Sequence, residues 1–169
     1  MKVLAKSDYK RVLPILSKVK INHYFAKSVL NNHMSGTVFV DNEQDPTSFY
    51  IATEYGMSLV FGKMTNKNFN NSLADYLLNK NHNRVHDEWL QVYPDAWSDV
   101  VETLAGNCFI SAEKAALLPD ELNNYPNFVI QNTRVNFNFN QKVFNYNKNK
   151  YLPHHEYKLV PVDEAIFEQ

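Results

Sequence analysis

The chain has a single cysteine, Cys108, and so can form no disulfide with itself. Nothing in it calls for an oxidising compartment, and a cytoplasmic location is expected. Neither sign of charge is in excess: seventeen Lys and Arg stand against eighteen Asp and Glu, a formal charge of -1. No general field draws such a chain to phosphate backbones or to anionic bilayers, which removes nucleic acid and membrane from the expected partners. No apolar run approaches the roughly 20 residues of a membrane-spanning helix, and Met1 to Ser7 leads straight into charged residues, so neither anchor nor secretory signal is expected. Glycine is scarce: the four residues at 36, 56, 62 and 106 contain no pair with the spacing of a phosphate-binding loop.

What is present describes a folding chain. Apolar residues make up 44% and charged residues 21%, close to the average for soluble globular domains, and 169 residues is the size of one domain spanning 1–169. Aromatic residues are abundant at 14%. Asn is concentrated between Asn123 and Asn149, where the compositional reading is codon usage in an AT-rich genome rather than a prion-like tract.

Hydrophobic periodicity orders the elements. Tyr9, Val12, Leu13, Leu16 and Val19 recur at helical spacing after Ser7-Asp8, with Pro14 forcing a kink or a fresh start. Tyr24, Phe25, Val29 and Leu30 form the stripe of a second helix within 22–30. Three strands follow, over 36–41, 48–55 and 58–62, with turn chemistry at 41–46 and at Gly56, so an antiparallel meander is predicted. The period then switches to a helix over 68–80 carrying Phe69, Leu73, Tyr76 and Leu77. A strand over 88–93 ends at Pro94, and a helix from Ala96 is closed by Gly106. Phe128-Val129-Ile130 leads into the strict alternation Val135 to Asn140, which predicts a late edge hairpin. The tail from 151 to 169 reads as the start of a connection, ending in what looks like the first turns of a helix. The expected fold class is α/β, of the α+β kind: a mixed, largely antiparallel sheet with helices on both faces.

Two helices, three antiparallel strands, helix, strand, helix and hairpin is the order of the GNAT acetyltransferase superfamily. The segments 36–41, 45–49 and 59–62, with Asn66 to Phe69 and a helix after them, resemble the N-terminal GNAT-like domain of the bacterial zwittermicin-resistance-type group. Members of that group pair this region with a second, C-terminal GNAT domain. The resemblance covers roughly residues 10–145. It implies acetyl-CoA as the family's cofactor, its pyrophosphate held by main-chain N–H groups of a Gln/Arg-x-x-Gly-x-Gly/Ala loop after the fourth strand. The corresponding segment here, Gly62 to Asn70, has no glycine after Gly62, so side chains obstruct the close approach that such a loop allows. Three readings stay open: a degenerate GNAT-like domain that binds no cofactor itself and supports a catalytic C-terminal GNAT domain, an active acetyl-CoA-dependent N-acetyltransferase with an atypical loop, and a stand-alone interaction module using the alternating face of Val135 to Asn140.

Candidate site residues follow from these readings. Lys63, Asn66 and Lys67 are the groups near the loop able to meet a phosphate, although solvated lysines beside a helix start are the commoner finding. Tyr50, Tyr55, Trp89 and Tyr93, with Trp97, cluster around the predicted sheet as a pocket for a small-molecule amine or, more commonly for strand aromatics, as core. Glu54, if it projects from its strand, is the general-base candidate. No metal site is expected. His82 and His86 lack the His-Glu-x-x-His form, and Asp41, Glu43 and Asp45 lack the glycine and the terminal glutamate of a calcium loop. Cys108 reads as an inert thiol.

Overall fold

The computed structural model describes residues 1–84, 86–117, 128–133, 139–148 and 150. They fall into two compact units, Met1–Asn132 and Thr133–Gln169.

The first unit is built on a five-stranded sheet of order β1-β2-β3-β4-β5, with β1 at Lys2–Val3, β2 at Gly36–Val40, β3 at Ser48–Thr53, β4 at Met57–Gly62 and β5 at Trp89–Tyr93. The first four strands pair antiparallel. β5 lies parallel to β4, with Met57 opposite Trp89 and Phe61 opposite Tyr93. A parallel neighbour requires a crossover, which α3 at Lys67–Leu77 supplies. A separate two-stranded sheet pairs β6 at Phe109–Ser111 parallel with β7 at Val129–Gln131. The meander and the helix, strand, helix run therefore stand as the periodicity predicts, with boundaries shifted by one to three residues. The strand at 128–130 is present as β7, and β6 is its recorded partner. The second arm of the predicted hairpin, Val135 to Asn140, falls at 135–138 outside the described residues, and Asn140 instead opens a helix.

Alternation along the strands sends side chains to two cores. Val38, Val40, Phe49, Ile51, Leu59 and Phe61 face one side. There they meet Tyr9 and Val12 of a 3-10 helix at Lys6–Val12, Leu16 of α1 at Leu13–Leu16, and Phe25, Ala26, Val29 and Leu30 of α2 at Tyr24–Leu30. Pro14 sits in the first turn of α1, where its missing N–H costs no hydrogen bond, so the helix begins afresh rather than kinks. On the other side Tyr50, Ala52 and Val60 meet Phe69, Leu73 and Leu77 of α3 and Trp97 and Val101 of α4 at Trp97–Ala105. Every residue of β3 is buried because the strand has a helical layer on each side. Helices thus cover both faces, as the fold-class reading requires.

In the second unit α5 spans Gln141–Asn147, and the Asn140 side chain caps it by accepting from the N–H groups of Lys142 and Val143. Phe139 packs on Phe144 at 5.3 Å between ring centres.

One glycine is fixed by the end of the sheet. Gly62 adopts φ +92°, and a Cβ there would stand 2.3 Å from the Thr47 carbonyl oxygen and 3.0 Å from the Phe49 ring. The bare side of Gly62 faces the β3 strand start. Gly62→Ala is expected to destabilise the fold by more than about 1 kcal/mol, because strain and backbone overlap both exceed the entropy gained in the unfolded chain. A urea titration checks this: the midpoint falls, and an unchanged midpoint contradicts the packing described.

Candidate functional site

The segment joining β4 to α3 is held by its own side chains. Asn66 caps α3, its Oδ1 accepting from the Phe69 N–H at 3.0 Å, while its Nδ2 donates to Asp41 Oδ2 at 3.1 Å. Asp41, just past β2, also accepts from the Thr47 N–H at 2.8 Å, the Thr47 hydroxyl at 2.6 Å and the Ser48 N–H at 3.0 Å. Burial raises its affinity for a proton, but these donors outweigh burial and hold the carboxyl below its ordinary range. A carboxylate thus stands beside the start of α3. The Lys63 N–H donates to the Thr47 carbonyl at 2.8 Å, and the Lys63 carbonyl accepts from the Ser48 hydroxyl at 2.7 Å. Asn70 Nδ2 donates to the Met64 carbonyl at 2.7 Å. Lys63 and Lys67 point into solvent. Behind the loop the fully buried Trp97 donates its indole N–H to the Gly62 carbonyl at 3.2 Å and meets the Phe69 ring edge-on at 6.3 Å.

A second polar constellation lies within the α3 face. Tyr50, fully buried on β3, donates its hydroxyl to Glu88 Oε2, and Tyr76 on α3 donates to Glu88 Oε1 at 2.5 Å. The two tyrosine rings meet edge-on at 5.2 Å, with Phe39 beside both. Glu88 immediately precedes β5, and its stretch of chain is set by Gly56: at φ +89°, a Cβ there would stand 2.8 Å from the Asp87 carbonyl. Burial first, and the Glu88 carboxylate second, hold the Tyr50 hydroxyl well above the ordinary phenol range. Tyr76 is raised by burial and by its hydrogen bond to the same carboxylate. One carboxylate therefore ties β3, α3 and the entry to β5 together. Neither Glu88 nor Tyr76 stood among the sequence candidates. The readable signal is Glu88 at the head of an apolar strand, with Tyr76 on the core stripe of its helix.

The four aromatic candidates do not converge. Tyr50 is core on the α3 face, and Tyr93 packs with the cluster on the opposite face. Tyr55 and Trp89 are 59% and 67% exposed, at the end of the sheet where the Trp89 N–H bonds the Gly56 carbonyl. Glu54 lies in the exposed turn after β3 rather than on the strand. Asn66 is occupied with helix capping and Asp41. Among the described residues no group of three or more His, Cys, Asp or Glu is arranged to hold a metal ion, and no helix is long and apolar enough to cross a membrane.

Two pH limbs follow. A phenol whose folded pKa is raised contributes stability that is complete below its unfolded value of 10.0 and is lost as pH rises through the folded value. Unfolding free energy is expected to decline above about pH 10, and Tyr76→Phe, which removes one of the two phenols, should shallow that decline while costing about 1–2 kcal/mol at neutral pH. Asp41 acts on the acid side. Its depressed carboxyl contributes stability above the unfolded Asp value of 3.8 that is lost as pH falls through the folded one. Asp41→Asn should cost about 1–3 kcal/mol at pH 7 and remove part of the acid-limb slope below about pH 4. Denaturant titrations across pH check both, and parallel profiles for parent and variant contradict the assignment.

Comparison with curated proteins and with solved structures returned no match. The family model described as GNAT acetyltransferase matches residues 16–169, which takes in every strand of the main sheet except β1 and both helices of the α3 face. The chain belongs to the GNAT acetyltransferase family.

Proposed function

We propose that the stretch described is a GNAT-like domain that has given up cofactor binding and supports a catalytic C-terminal GNAT domain of the zwittermicin-resistance-type arrangement. The observation that carries this reading is the closed start of α3. A diphosphate needs free main-chain N–H groups, bare backbone to approach and a positive local field. At the end of β4 the one glycine turns its bare side to Thr47, and the Lys63 N–H is already bonded within the fold. The Phe69 N–H is taken by Asn66, and Asp41 sets a negative charge beside the helix start. Two charged phosphates near that carboxylate repel it, and the two exposed lysines supply only solvated point charges. The residues present do not fit acetyl-CoA at this place.

Catalysis in this family needs an amine, a base and the thioester brought together. Glu54 in its exposed turn and the aromatics on different faces offer no such convergence, which favours the supporting role over the active transferase with an atypical loop. For the interaction module, Asn140 serves as a helix cap rather than as the end of an exposed strand. The partner on this reading is the C-terminal domain, which holds acetyl-CoA and the amine substrate.

Isothermal titration of this chain with acetyl-CoA is expected to give no saturable heat, and micromolar binding would sink the proposal. Translation of the gene beyond codon 169 tests the second half: a continuation carrying a Gly-x-Gly loop after a strand is expected, and a stop codon there contradicts the supporting role.

A further inference from the structure

The near-zero total charge hides a segregation. Residues 1–40 carry seven Lys and Arg against the single carboxylate of Asp8, while the remainder carries ten against seventeen. All seven cations are exposed, and all but Lys2 lie on the 3-10 helix, on α2 or in the turn before it, within the layer packed on one face of the sheet. Residues 63–113 build the layer on the opposite face, with its open cleft beside Asp75 and Tyr76, and hold four cations against seven carboxylates. We propose that the basic layer docks this domain onto the surface of an anionic lipid bilayer. The inference rests neither on the closed β4–α3 loop nor on the C-terminal partner.

Two of the seven cations are already spent. Lys2 meets Glu43 at 3.5 Å, and Arg11 pairs with Asp8 at 3.7 Å while its guanidinium donates to the Glu43 and Gln44 carbonyls. Glu43 and Asp45 of the β2–β3 turn thus neighbour Lys2 and Arg11, and the surplus lies with the other five. Lys6, Lys10, Lys18, Lys20 and Lys27 form no ion pair among the described residues. α2 buries Phe25, Ala26, Val29 and Leu30, which leaves Lys27 and the 74% exposed Tyr24 outward and one turn apart. A tyrosine among lysines suits the headgroup zone, where its ring is covered and its hydroxyl stays wet. Packed layers are roughly 10 Å apart, so a surface touching one helical layer stands about 20 Å from the other, more than twice the screening length of about 8 Å at physiological salt. The carboxylates of the α3 face are therefore screened from a bilayer that the lysines meet.

Residue type and shape select a bilayer among polyanions. Lysine is a compact point charge that suits a diffuse anionic surface, whereas the forked guanidinium is the better reader of single phosphates, and the one Arg of this layer is held by the fold. α1 and α2 have four and seven residues, too few for a recognition helix laid along a groove. A single nucleic-acid strand needs a channel with stacking rings, and the hollow between Lys6, Tyr9 and His33 measures only about 180 Å³. A stable protein interface has an apolar centre, and Tyr24 is the one large hydrophobic side chain that the helices of this layer expose.

Sedimentation of the full chain with large unilamellar vesicles tests the proposal. Vesicles of phosphatidylcholine with about 30 mol% phosphatidylserine are expected to pull the chain down, and pure phosphatidylcholine vesicles to leave it in solution. Affinity for the anionic vesicles should fall at least about tenfold between roughly 50 and 300 mM salt. Lys20→Gln and Lys27→Gln should each weaken binding about three- to fivefold, while Lys80→Gln, the same charge change beside α3, leaves it unchanged. All three side chains are exposed, so the fold tolerates the substitutions. Equal retention on both kinds of vesicle, a loss with Lys80→Gln as large as that with Lys27→Gln, or tighter binding to a single-stranded oligonucleotide than to the anionic vesicles would each overturn the proposal.

Discussion

The Asp41 carboxylate accepts four hydrogen bonds, three from Thr47 and Ser48 at the start of β3 and one from Asn66 at the start of α3. That arrangement joins the β2–β3 turn to the β4–α3 loop, which the sequence separates by some twenty residues. Much else follows from it. The Asn66 side chain is held where it caps α3, β3 enters the sheet with its first N–H groups satisfied, and the Lys63 main chain is pulled against Thr47 and Ser48. The Lys63 and Phe69 N–H groups are thereby taken up within the fold. Charge-assisted hydrogen bonds of this kind are roughly twice as strong as neutral ones, and together they fasten the β2–β3 turn to the loop before α3.

The same economy of polar groups recurs at the other end of α3. Glu88 takes two phenol hydroxyls from β3 and α3, so the helix is clasped to the sheet at both ends by a carboxylate, with Phe69, Leu73 and Leu77 packed between. Trp97 closes the layer by filling the space under the Gly62 carbonyl. Both carboxylates are satisfied inside the domain, and the open cleft of this face lies beside the second clasp, where Tyr76 is shared between core and surface.

Much of this fold was legible in the sequence, and the reasons are specific. β2, β3 and β4 alternate between two faces that are each covered, and turn residues at 41–46 and Gly56 punctuate them, so period and boundary signals agree. α3 and α4 carry stripes with clear ends. Pro14 marked a break whose form only packing decides. Where the reading fell short, two local signals competed or none existed. Asn140 is both the end of an alternating run and a helix cap, and the capping use governs the residues after it. Asn66 was noticed for its place near a loop, but its partner Asp41 is 25 positions away. The Glu88 clasp joins residues 38 and 12 positions apart, and no periodicity encodes such a meeting. Aromatics named as one cluster, Tyr50, Tyr55, Trp89 and Tyr93, are distributed by strand register to two faces and an exposed end.

The claim at the centre of this account is that the start of α3 has no room and no field for a diphosphate. Crystals of the chain soaked in acetyl-CoA address it at the atoms concerned. The account predicts density for the Asn66–Asp41 and Lys63–Thr47 hydrogen bonds unchanged, with no ordered diphosphate between Gly62 and Phe69. An ordered coenzyme with its phosphates on the main-chain N–H groups of that segment would contradict it.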